Sequence, residues 1–60
     1  MKARVEVGDV VMTRWDDADK PLRGTVVRKY EGHRGMMYQV RLDDSTEKVR
    51  ADQIVKVVRG

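Results

Sequence analysis

Tyr38-Gln39-Val40-Arg41-Leu42-Asp43-Asp44-Ser45-Thr46-Glu47-Lys48-Val49-Arg50-Ala51-Asp52-Gln53-Ile54 is the stretch that decides the fold of this chain. Apolar and polar residues alternate from Tyr38 to Leu42, which puts Tyr38, Val40 and Leu42 on one face of a strand and Gln39 and Arg41 on the other. Asp43-Asp44-Ser45 then brings together residues that tolerate turn dihedrals and bond their own backbone. A second strand follows through Val49, and a short polar bend at Ala51 to Gln53 ends on the apolar anchor Ile54. The pattern is that of a hairpin with a dry and a wet face.

The rest of the chain supplies partners for this hairpin. Val5-Glu6-Val7 alternates, Gly8-Asp9 interrupts, and Val10-Val11-Met12-Thr13-Arg14-Trp15 has the β-branched composition of a strand. Asp16 to Pro21 reads as a loop, because Pro21 lacks a backbone donor and biases Lys20 towards extended geometry. Leu22 to Tyr30 resumes as a strand, with Gly24 marking a bulge or a close backbone approach. In Glu31-Gly32-His33-Arg34-Gly35 two glycines bracket polar residues, as in a hairpin loop that needs positive φ. Ile54 to Val58 forms the last strand. Five short strands, and no stretch of ten or more residues with capped 3.6-residue periodicity, predict a small all-β barrel or sandwich. The expected core is Val10 or Val11, Val26, Tyr38, Val40, Leu42, Val49, Ile54 and Val57.

Composition narrows the possibilities further. Sixty residues predict one domain, with its core over about residues 5–58, that buries about 60% of the surface its unfolded form exposes. The absence of cysteine excludes disulfides and thiolate metal sites; it suits a reducing, intracellular compartment, whether cytoplasm, nucleoid or nucleus. A single histidine builds no His-based metal centre. Met1-Lys2-Ala3-Arg4 leads into no sustained apolar run, and nowhere do about 18 apolar residues occur together. The sequence therefore predicts a soluble protein, without a secretory signal and without membrane association. Thirteen Lys or Arg against ten Asp or Glu leave a net charge of +3, a mild basic bias compatible with an anionic partner.

Taken in order, Gly8-Asp9-Val10-Val11, Arg14-Trp15-Asp16-Asp17, Gly24-Thr25-Val26-Val27, Tyr38-Gln39-Val40-Arg41-Leu42-Asp43-Asp44 and Asp52-Gln53-Ile54 resemble the Tudor group of SH3-like barrels over nearly the whole chain, from Val7 to about Val57. The resemblance implies a five-stranded antiparallel SH3-like barrel. It also implies an aromatic cage for methylated lysine or arginine, whose ring faces attract the cation. Trp15 and Tyr38 stand at or near aromatic positions of that pattern. Leu22 and Leu42 stand where cage-bearing members commonly carry aromatic residues, and Ser45 replaces the usual turn glycine, so the matching positions supply part of a cage.

Two surfaces emerge as candidate binding sites. Arg14, Arg23, Arg28, Lys29, Arg41, Lys48 and Arg50 lie on predicted strands and alternate with apolar neighbours, so a basic stripe on the wet face is expected. Such a stripe contacts phosphates, and arginine offers them a bidentate fork. An ordinary mixed-charge surface, with each cation paired to a nearby acid, is the competing expectation. In an antiparallel meander, the loops after the first and third strands lie at the same end. Asp16, Asp17, Asp19, Asp43 and Asp44 should then gather beside Trp15, where an acidic rim around an indole attracts a basic or methylated peptide side chain. Turn preference alone also accounts for those aspartates, and Trp15 serves equally well as core filling. His33 has no neighbouring nucleophile, and Asp43-Asp44 is accompanied by no phosphate-binding glycine signature. The sequence thus points to a non-enzymatic binding module without catalytic residues, metal or cofactor. Its expected partner is nucleic acid or a nucleic-acid-associated protein, with a basic peptide as the alternative.

Overall fold

Strands form where the alternation places them, and their pairing sets the architecture. The computed structural model describes residues 4–58. The elements are β1 (Val10–Thr13), β2 (Leu22–Gly32), β3 (Gly35–Arg41), β4 (Thr46–Arg50), a 3-10 turn at Ala51–Gln53, and β5 (Ile54–Val58). They make one antiparallel sheet in the order β4-β3-β2-β1-β5. Val5-Glu6-Val7, which alternates like a strand, forms none. Glu6 and Asp9 instead close a turn on each other, the Glu6 amide donating to Asp9 Oδ2 and the Asp9 amide to the Glu6 carbonyl. Gly8 supplies the positive φ, +99°, that this turn requires.

The two hairpin turns follow their local chemistry. Leu42 donates its amide to the Ser45 carbonyl at 2.7 Å across Asp43-Asp44. Between β2 and β3 the turn shrinks to His33-Arg34, flanked by the paired Gly32 and Gly35. No residue other than glycine has positive φ among the described residues, so Gly35 at +123° carries the left-handed step.

One sheet has no second layer to cover it, so its inner face is buried by curling. Val11, Val26, Tyr38, Val40 and Val49 are buried together with Val5. Leu42, Ile54 and Val57 pack against them half-buried, as do Trp15 and Met36. Residues of both edge strands, Val49 of β4 and Ile54 and Val57 of β5, thus share one core. The edges themselves do not join, since no ladder connects β4 to β5. Gly24 marks a close approach. A Cβ there would meet Val40 Cγ1, Leu42 Cδ2 at 2.9 Å and the Arg41 carbonyl at 3.0 Å.

The bulge in β2 lies elsewhere. Its register with β3 shifts between Val26 and Arg28, leaving Val27 unpaired and exposed. Beyond that point the alternation of β2 inverts.

Gln53 ties the 3-10 turn to its surroundings. Its backbone carbonyl accepts from the Arg14 amide at 2.7 Å, its side-chain oxygen accepts from the Arg50 amide at 3.0 Å, and its Nε2 donates to the Arg14 carbonyl at 3.2 Å.

Candidate nucleic-acid interface

Residues directly opposite in a ladder point to the same side of the sheet, so the register defines the convex face. Across β2, β3 and β4 it carries three rows: Thr25, Arg41 and Thr46; Arg28, Gln39 and Lys48; Tyr30, Met37 and Arg50. A fourth row, Arg23, Met12 and Lys56, crosses β2, β1 and β5. No carboxylate stands in any of them. Strands lie about 4.8 Å apart and alternate residues about 7 Å apart along each strand, within the ~10 Å screening length of 0.1 M salt. The fields of neighbouring cations therefore reinforce one another.

Ion pairing separates two kinds of cation. Arg50 Nε lies 3.1 Å from Asp52 Oδ1, so Asp52 partly neutralises that corner. Arg23, Arg28, Arg41 and Lys48 are exposed, and among the described residues none of them makes a salt bridge. Arg28 holds its guanidinium carbon 5.4 Å from the centroid of the Tyr30 ring. That contact restrains the side chain while leaving its charge available.

Two members of the expected stripe fall outside it. Lys29 pairs with buried Tyr38 and so faces inward, because the bulge at Val27 inverts the alternation. Its side chain is 27% exposed and meets Glu6 Oε2 at 3.6 Å. Arg14 lies past the end of β1, in the loop that contacts Gln53. Lys56 was missed by sequence reasoning, although its place in the alternating Val55-Lys56-Val57 signals an outward side chain.

Trp15 occupies a second, smaller site. With Arg14, Asp16, Asp17, Arg50, Asp52 and Gln53 it lines a cavity of about 290 Å³. The indole Nε1–H donates to Thr13 Oγ1 at 2.8 Å, and that hydroxyl donates to the Leu22 carbonyl at 3.0 Å. Thr13 is fully buried and anchors the ring, a role that nothing in its local sequence indicates. Asp43 lines two other depressions, with Arg41 and Leu42, and Asp44 lines one of them. The Asp43-Asp44 turn therefore does not join Asp16 and Asp17 at the Trp15 cavity; Asp52, brought by the 3-10 turn, does. Tyr38 is 6% exposed and belongs to the core.

His33 is exposed in the β2–β3 turn. Among the described residues, no group of three or more His, Asp or Glu side chains is placed to hold a metal ion. No helix among them is long and apolar enough to cross a membrane. No family model, curated protein or solved structure matches this chain.

Proposed function

We propose that this chain is a non-enzymatic module that binds nucleic acid, or a nucleoprotein, through the convex face of β2, β3 and β4. The observation that carries the reading is that Arg23, Arg28, Arg41 and Lys48 share one sheet face without a carboxylate partner. A face whose charges are already paired would gain little from phosphates; this one retains its charge for a ligand. The short strands, the 3-10 turn and the return of β5 to β1 support the fold reading of an SH3-like, Tudor-like barrel with an open seam.

The test is titration of a DNA duplex and of single-stranded DNA and RNA at several salt concentrations. With about 0.9 counterions released per duplex phosphate contact, four contacts predict a loss of roughly 100-fold in affinity between 50 and 200 mM salt. Binding that is undetectable, or insensitive to salt, overturns the reading.

The Trp15 cavity supports a second reading, capture of a basic or methylated peptide side chain. Three carboxylates, Asp16, Asp17 and Asp52, line the cavity beside the anchored indole against two guanidiniums, Arg14 and Arg50, the latter paired with Asp52. The acidic surplus at Asp16 and Asp17 suits a cation. In that case Trp15→Ala and Asp17→Asn abolish peptide binding while Arg28→Ala and Arg41→Ala leave it intact. Peptide binding that survives loss of Trp15 rules it out.

A further inference from the structure

The two free edges of the sheet differ in chemistry. The β4 edge reads Thr46-Glu47-Lys48-Val49-Arg50, and charges of both signs along an edge oppose pairing with another strand. The β5 edge reads Ile54-Val55-Lys56-Val57-Val58, with one charge among four branched apolar residues, and its register with β1 shifts between Met12 and Thr13, which leaves Val55 without a ladder partner. Val55 is 49% exposed. Beside this edge runs a groove of about 600 Å³ whose walls include Val5, Met36, Tyr38, Ile54 and Val57. Outside the β1 ladder and the Ile54 amide, which donates to the Ala51 carbonyl, no backbone hydrogen bond among the described residues engages β5.

We propose that the β5 edge receives an extended strand from another protein, which adds to the sheet as a sixth strand and lays its inward side chains into this groove. Main-chain bonds to β5 supply attachment, and the groove selects side chains at alternate positions. The five residues of β5 accommodate a partner segment of about 17 Å. Charge complementarity sets its pattern. Lys56 points to the convex face and makes no salt bridge among the described residues, so the residue opposite it is Asp or Glu, flanked by apolar residues.

A second copy of this chain fits poorly. Lys56 is the central residue of β5, so full-length antiparallel pairing of two copies sets Lys56 against Lys56, and like charges directly opposite destabilise a sheet. Shifting the register by two residues in either direction removes that clash but leaves only Ile54 to Lys56, or Lys56 to Val58, in overlap. The proposed surface is separate from the convex face of β2, β3 and β4, and it stands whether or not that face binds nucleic acid.

The experiment is a titration of the whole chain with the acetylated, amidated peptide Thr-Val-Glu-Val-Thr, followed by backbone amide shifts to millimolar peptide. The expected result is a set of shifts confined to β5, Met36 and Tyr38, with the analogue carrying Lys in place of Glu binding about 5- to 10-fold more weakly. Lys56→Glu, an exposed change that leaves the core intact, is expected to reverse that preference. No shift at β5 at millimolar peptide, shifts centred elsewhere, or a preference unchanged by Lys56→Glu overturns the proposal. So does sedimentation showing that the protein alone dimerises in a manner lost on Val55→Lys, because a second copy then holds the edge.

Discussion

Arg28 stands over Tyr30, guanidinium carbon to ring centroid 5.4 Å, on the same face as Gln39 and Lys48. Arg28 and Tyr30, two residues apart on one strand, share a face, and the bulge at Val27 makes that face the convex one. A restrained, unpaired cation in the middle of a basic face should be the strongest single contributor to phosphate binding. Arg28→Ala is expected to lower the slope of log affinity against log salt by about 1, irrespective of base sequence. Arg28→Lys keeps the charge but loses the planar fork and should fall between the two.

Lys29 provides the matching control. It neighbours Arg28 in sequence but faces Tyr38 and Glu6, so Lys29→Ala should leave the salt slope unchanged. With side chains 27% and 51% exposed, the Lys29–Glu6 pair contributes at most about 1 kcal/mol. Parallel titrations of the Lys29 and Arg28 variants check the inversion of the strand directly. An equal loss in both would place Lys29 on the convex face.

Gly24 is expected to tolerate no side chain. Its neighbours include the Arg41 carbonyl of the paired strand at 3.0 Å from a Cβ position, and a backbone atom in a ladder has little room to yield. Gly24→Ala should therefore destabilise by about 1–3 kcal/mol, as overpacking does. Chemical denaturation measures it.

Thr13 links Trp15 to Leu22 through one hydroxyl that both accepts and donates. Thr13→Val keeps the shape but leaves the indole N–H and the Leu22 carbonyl without that partner, at a cost of about 1–3 kcal/mol. Trp15 fluorescence should shift as the ring loses its anchor. A variant with wild-type emission and stability would show that the hydroxyl is dispensable.

Val40, the last residue but one of β3, is fully buried. Val40→Ala removes two methyl groups and leaves a cavity, a loss on the order of 2 kcal/mol. A domain of this size holds about 3–9 kcal/mol in total, so the melting midpoint should fall by several degrees or more. An unchanged midpoint would contradict its place in the core.

Much of this architecture was legible in local pattern. The alternation at Tyr38, Val40 and Leu42, the turn chemistry of Asp43-Asp44-Ser45 and the glycines around His33-Arg34 are properties of neighbouring residues. They place five strands and their reversals, because side-chain period and backbone dihedrals are decided within a few residues. The inward residues Val26, Val40 and Val49 follow from the same alternation, which left Val10 and Val11 as alternatives; the structure buries Val11. Only the tertiary structure decided how the strands lie against one another. The unpaired Val27, which sends Lys29 inward, is a matter of register between β2 and β3. The neighbours of Trp15 come from the 3-10 turn, which carries Asp52 and Gln53 to the end of β1 while Asp43 and Asp44 line other depressions. Whether a cation is paired, and which edge stays open, depend equally on contacts between residues far apart in the chain. A strand's own sequence determines which of its residues alternate; its partner, chosen by burial across the curled sheet, determines where each of them ends up.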